Sequence, residues 1–105
     1  MTNGSNVVEG IVGLETMIPA NVKAEANGTT ITLTWDKVVG MTNYDIYRSK
    51  DGGAYRQIKR TSATTITSTG LKVGSTYQFK IRAFRLVNGE KVYAPDVETS
   101  PVIIE

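Results

Sequence analysis

The chain has 105 residues and a mass of 11.4 kDa, with 40% hydrophobic and 21% charged residues. One compact domain fits this length, and a core of this size needs neither disulfide nor metal. The sequence contains no His and no Cys, which excludes His-based acid-base chemistry, thiol nucleophiles, zinc clusters and disulfides. A net charge of +2 indicates neither nucleic-acid nor membrane-surface binding.

Residues 1–17 follow neither the period of a strand nor that of a helix. They contain no Lys or Arg, and Glu9, Gly10 and Gly13 interrupt their apolar residues, so they do not fit a signal peptide. We predict that residues 1–17 are a linker or an appended segment and that residues 18–105 form the folded domain. No stretch approaches the roughly 20 apolar residues that cross a bilayer, so we expect no membrane insertion.

Two strands are predicted at the start of this domain. Residues 22–26 alternate in polarity and end at an Asn-Gly dipeptide, which favours a tight hairpin turn. Ile31, Leu33 and Trp35 then alternate with Thr residues, which is typical of a half-buried strand. This phase predicts that Trp35 lies in the core and is not an exposed platform for sugar rings.

Five further strands are predicted in the rest of the chain. Residues 44–48 and 54–58 flank a Gly-containing turn, and residues 64–69 form a Thr-rich strand with the character of an edge. Residues 77–83 alternate over a longer stretch, and the last strand runs from Lys91 with an interruption near Pro95. Seven short strands without helical periodicity predict an all-β sandwich.

Three segments of this pattern together resemble the fibronectin type III domain: Trp35, Tyr44-Asp45-Ile46-Tyr47-Arg48, and the run from Leu71 to Ala83. The resemblance extends from about Pro19 to Ile104. It implies a seven-stranded antiparallel immunoglobulin-like β-sandwich. It also implies a tight corner at Gly74, followed by Tyr77 with its ring in the core and its hydroxyl on the backbone just upstream.

The stretches Tyr47-Arg48-Ser49, Asp51 to Tyr55, and Arg82 to Tyr93 resemble the bacterial branch of this family. Members of that branch sit between the modules of larger secreted or cell-surface proteins. The resemblance therefore implies an extracellular or cell-surface location, neighbouring domains of the same polypeptide as partners, and a non-catalytic role in spacing or orienting those domains. We expect a monomer without cofactors.

One surface is a candidate binding site. On the side of the sheet away from the core, aromatic and basic residues are predicted to lie close together: Tyr47, Lys80, Arg82, Phe84 and Tyr93. Such a face could bind a polysaccharide or a surface protein through its rings and cations. The alternative is that these side chains are ordinary cross-strand pairs that shield the sheet from water.

The sequence offers no catalytic or metal-binding constellation. No nucleophile elbow or phosphate-binding Gly loop is present, and no acidic residues have the spacing of a calcium loop. An Arg-Gly-Asp adhesion motif is also absent. We therefore predict that the domain is not an enzyme.

Overall fold

The structure, a computed structural model, describes residues 17–105. It contains nine β-strands and, within these residues, no helix. In chain order the strands are β1 (Lys23–Asn27), β2 (Thr30–Thr34), β3 (Asn43–Lys50), β4 (Arg56–Thr61), β5 (Thr65–Ser68), β6 (Thr76–Val87), β7 (Glu90–Tyr93), β8 (Val97–Glu98) and β9 (Val102–Ile103). The predicted N-terminal linker, residues 1–17, lies outside the described residues except for Met17.

The strands form two antiparallel sheets that pack face to face. The smaller sheet has the order β1-β2-β5, and the larger sheet has the order β9-β6-β3-β4, with β7 and β8 also paired to β6. Strand β5 pairs only with β2 among the described strands, which confirms the predicted edge. The all-β sandwich expected from the alternating sequence is thus confirmed.

The last predicted strand is broken into three short strands, and this accounts for nine strands where seven were expected. Strands β7, β8 and β9 all pair with β6, one after another along its length. The breaks fall at Pro95 and at Pro101, which have no N–H to contribute to a continuous ladder. The interruption predicted near Pro95 is confirmed.

The fourth strand lies later in the chain than its sequence suggested. Strand β4 begins at Arg56 instead of residue 54 and extends to Thr61. The preceding turn is closed by two hydrogen bonds, from Gly53 N to Lys50 O at 2.9 Å and from Ser49 Oγ to Gly53 O at 2.7 Å. These bonds keep the backbone after Lys50 out of the ladder, so the strand starts only when the turn has finished.

The core lies between the two sheets and contains the residues that alternate on β2, β3 and β6. Phe79, Ile31, Leu33, Ile46 and Ile81 are fully buried. Trp35 is 4% exposed and packs edge-on against Tyr44 with ring centroids 5.4 Å apart, which confirms its place in the core.

The corner before β6 has the predicted form. Gly74 adopts φ +92°, a conformation that other residues rarely reach, and its N–H donates to Ile104 O at 2.7 Å. The ring of Tyr77 is buried, and its hydroxyl accepts a hydrogen bond from Lys72 N at 2.9 Å. Tyr77 therefore locks the corner to the strand that follows it.

Within residues 17–105, no helix reaches the length and hydropathy that a bilayer-spanning segment requires.

Ile103 and Ile104 provide a matched test of this packing. Ile104 is fully buried and Ile103 is 50% exposed, although they are adjacent residues of the same type. We expect Ile104→Ala to lower the free energy of unfolding by about 2–5 kcal/mol, because it leaves a cavity. Ile103→Ala should cost less than about 1 kcal/mol. Urea unfolding measures both values, and equal losses would contradict the placement of Ile104 in the core.

Candidate functional site

The predicted aromatic-basic face lies on the outer side of the larger sheet, and strand register sets its layout. Lys80 lies opposite Tyr47 across the ladder between β6 and β3. One step further along the same outer side, Arg82 lies opposite Asp45, and Arg60 of β4 lies opposite Asp45 from the other side. The centre of the face is therefore one carboxylate between two arginines.

Asp45 is fully buried although it lies on the outer side of the sheet. Arg60 closes over it with two hydrogen bonds, Nε to Oδ1 at 2.6 Å and Nη2 to Oδ2 at 3.0 Å. The hydroxyl of Tyr93 donates to Oδ2 at 3.1 Å. These side chains form a lid that removes the carboxylate from water and satisfies its oxygens.

The electrostatic balance at Asp45 favours its ionised form. Burial alone would raise the pKa of the Asp45 carboxyl, but the hydrogen bonds from Arg60 and Tyr93 and the charges of Arg60 and Arg82 outweigh it. The pKa of Asp45 is therefore lower than its ordinary value. Conversely, burial and the hydrogen bond to Asp45 raise the pKa of the Tyr93 phenol, so Tyr93 remains a donor.

Arg82 is held by the two tyrosines on either side of it. Its guanidinium carbon lies 3.8 Å from the ring centroid of Tyr93 and 5.6 Å from that of Tyr47. Its Nη2 donates to the Tyr47 hydroxyl at 2.9 Å. One cation of the protein itself thus contacts both rings, an arrangement in which cation–π attraction contributes to stability.

Lys80 extends this layer toward the opposite end of the face. Its Nζ lies 4.5 Å from the ring centroid of Tyr55 and 3.5 Å from a carboxylate oxygen of Asp96. Tyr55 in turn donates to Glu98 Oε2 at 2.8 Å. Burial, with this hydrogen bond and the charges of Glu98 and Asp96, raises the pKa of the Tyr55 phenol to about 12.

The five predicted residues do lie together, but they differ in accessibility. Tyr47, Lys80, Arg82 and Tyr93 are half-buried. Phe84 lies on the predicted side of the sheet, yet it is only 3% exposed, because Tyr93 and the guanidinium of Arg60 cover its ring at 5.3 Å and 5.1 Å. A ligand could reach the ring of Phe84 only if these two side chains moved.

Further members of the face were not predicted, among them Arg60, Tyr55 and Glu98. Arg60 was missed because the predicted strand ended at Ile58, and because the ladder between β3 and β4 contains a bulge, which shifts the register between Ile46 and Tyr47. Without the bulge, Lys59 would lie opposite Asp45. A one-residue shift changes which side chain reaches each face, and the hairpin sequence carries no clear signal of it.

The charges of the face balance within the layer. The layer contains three cations, Arg60, Arg82 and Lys80, and three carboxylates, Asp45, Asp96 and Glu98. Arg60 binds Asp45 directly, and Lys80 contacts Asp96. Two of the three cations are thus paired directly with carboxylates, whereas the Nε of Arg82 is buried without a hydrogen-bond partner among the described residues. Among residues 17–105, no group of three or more acidic side chains is placed to hold a metal ion.

Replacing Asp45 tests whether this layer carries stability. We expect Asp45→Asn to lower the free energy of unfolding by about 1.5–3 kcal/mol at pH 6, because it weakens hydrogen bonds to a charged group. The pKa of Asp45 is lower in the folded chain than in the unfolded chain. Its contribution is therefore present above about pH 4 and is lost as the pH falls through the folded-state value. Urea unfolding at several pH values measures the change.

Asp96→Asn is the matched control, because it removes an exposed carboxylate from a 3.5 Å ion pair of the same face. This variant should cost less than about 1 kcal/mol at pH 6. An equal cost for the two variants, or a cost of Asp45→Asn that stays constant from pH 6 to pH 2.5, would contradict the structural role of Asp45.

The sequence of this chain is similar to a known domain family and to segments of much longer proteins. The family model described as the fibronectin type III domain matches residues 18–99. An amylopullulanase of Thermoanaerobacterium saccharolyticum is 31% identical over 86 residues, which are 80% of this chain and 7% of that protein. Exoglucanase B of Cellulomonas fimi is 33% identical over 89 residues, which are 79% of this chain and 8% of that protein. The chain thus spans less than a tenth of each relative.

A solved structure shares the fold as well as the sequence pattern. The crystal structure of a Fn3-like protein from Clostridium thermocellum superposes with a TM-score of 0.58 at 29% identity, covering 76% of this chain and 86% of that one.

Proposed function

The chain belongs to the fibronectin type III family, and on that basis we propose that it is a non-catalytic accessory module that spaces or orients neighbouring domains in a larger extracellular protein of bacterial type. Two relatives, the amylopullulanase and the exoglucanase, contain the matching stretch as less than a tenth of a much longer chain. This supports neighbouring domains as the module's partners. The family resemblance supports the extracellular or cell-surface location.

The observation that carries the proposal is that the described chain enters and leaves the sandwich at opposite ends. At the entry end, Asp36 N donates to Ala20 O at 2.9 Å. At the exit end, Ile104 N donates to Ser75 O at 3.0 Å, close to the corner where Leu71 N bonds Thr29 O. The chain from Thr29 to Asp36, which contains β2, joins the two ends, and its seven steps separate them by roughly 23 Å at about 3.3 Å per residue.

The bonding within this span makes the module stiff. Strand β6 pairs with β3 over eight residue positions, from Phe84 to Tyr77, and its other edge is covered by β7, β8 and β9. The core between the sheets resists bending, because packed interiors deform little. We propose that residues 1–17 connect this stiff unit to what precedes it.

A fusion in which the full chain joins two copies of a reporter domain tests the spacer role. A spin label on each reporter gives the distribution of distances between them by double electron–electron resonance. We expect a distribution clearly narrower than that of a flexible chain of the same length, because the packed sandwich keeps its two ends at a fixed separation. A Gly/Ser linker of equal total length is the control, since its end-to-end distance is about 55 Å and broadly distributed. A spread as broad as that of the control would contradict the spacer role.

A further inference from the structure

The side of the sandwich between β4 and β5 opens into a cleft of about 450 Å³. Its floor is aliphatic, with Ile66 buried and Ile58 packed against the core. We call this region the basic cleft. It is lined by Arg48, Ile58, Lys59, Thr61 and residues 65–69.

One wall of the basic cleft is the edge of a strand. Five consecutive residues, 65–69, line it, and they include the whole of β5. Within the described residues, β5 pairs with β2 on one side and with no strand on the other. Alternate backbone N–H and C=O groups of such an edge are open to another extended chain.

The other wall is basic. Arg48 and Lys59 line the cleft, and an adjoining cleft of about 430 Å³ adds Lys50 and Arg56. No carboxylate lines either cleft. Among residues 17–105, none of these four cations forms a salt bridge. The outer face of the same sheet balances its cations with carboxylates, whereas this side does not.

Two of these four cations lie close enough to repel each other when nothing is bound in the cleft. Arg48 and Arg56 lie directly opposite each other across the β3-β4 ladder, so they project from the same face. Like charges in this position repel. Arg48 is nevertheless fixed in place, because its Nη1 donates to Ser68 Oγ at 2.8 Å and its guanidinium lies 5.5 Å from the ring centroid of Tyr77. An anionic group in the cleft would relieve the repulsion.

Basic residues on an edge strand also protect a protein from pairing with copies of itself. That explanation accounts for Lys59 and for the bulge in β4. It does not explain why the side chain of Arg48 extends to the opposite sheet. Such protection is also selective: a second copy brings the same cations and is repelled, whereas an acidic strand is attracted.

We propose that the basic cleft is a docking site for an extended acidic peptide, which adds a strand to the free edge of β5. Its backbone pairs with residues 65–69, and the carboxylates on one of its faces meet Arg48, Arg56 and Lys59. Because side chains alternate along a strand, the preferred peptide carries acidic residues at every second position. This role goes beyond spacing, since it gives the module a partner outside its own chain.

An amide-resolved NMR titration of the full chain with an acetylated and amidated octapeptide of alternating Thr and Glu tests the proposal. We expect saturable shifts in the amides of residues 56–61 and 65–69. Two N-methylated versions of the peptide, modified at the Thr or at the Glu positions, test for strand pairing. Only one of them should bind, since one edge of the added strand faces β5.

Charge-matched variants test the basic wall. The double variant Arg56→Gln/Lys59→Gln should bind the octapeptide about tenfold more weakly. The control Lys23→Gln/Lys91→Gln loses the same charge at exposed positions on β1 and β7 and should bind as the parent chain does. The cleft variant should be at least as stable to urea as the parent, because it removes a like-charge pair.

Several outcomes would overturn the proposal. One is the lack of saturable shifts with the octapeptide, and another is equal loss of affinity in the cleft variant and the control variant. Equal binding of the two N-methylated peptides would show that the cleft does not hydrogen-bond to the peptide backbone. Equally tight binding of an oligogalacturonate, which carries carboxylates without a peptide backbone, would assign the cleft to anionic glycans instead.

Discussion

The long strand β6 is the element on which the rest of the structure depends. Its twelve residues alternate between the core and the outer side, and both of its edges are paired. Phe79 and Ile81 of this strand are fully buried and fix it against the smaller sheet. The same alternation places Lys80 and Arg82 in the outer layer. The packing of one side of β6 in the core thus fixes where the charged side chains lie on its other side.

This arrangement divides the surface into two unlike regions. The aromatic-basic face is covered by its own partners, because Arg82 occupies the rings of Tyr47 and Tyr93 and Asp45 is enclosed by Arg60. The basic cleft has cations without carboxylates beside an unpaired strand edge. A surface rich in aromatic and basic residues is therefore not in itself the better candidate for binding. What decides whether a surface can bind a ligand is whether its charged and polar groups already have partners within the protein.

Alternation and turn residues were sufficient to predict the sandwich, the core position of Trp35 and the edge character of β5, whereas the corner at Tyr77 was predicted from the family resemblance. The convergence of Tyr47, Lys80, Arg82, Phe84 and Tyr93 followed from the same period of two. What could not be predicted depends on register. The bulge in β4 places Arg60 beside Asp45. In that position the guanidinium of Arg60 also covers the ring of Phe84. A bulge reverses the alternation from that point on, and β4 has only one large apolar residue, Ile58, to show where the reversal occurs.

We propose that the aromatic-basic face is a structural layer of a spacer module. The most direct test is an amide-resolved NMR titration of the labelled chain with a panel of soluble glycans and cell-wall fragments. We expect no saturable shift at Tyr47, Lys80, Arg82 or Tyr93 with any of them. Saturable shifts clustered on these four residues would contradict it and would make the face a binding site.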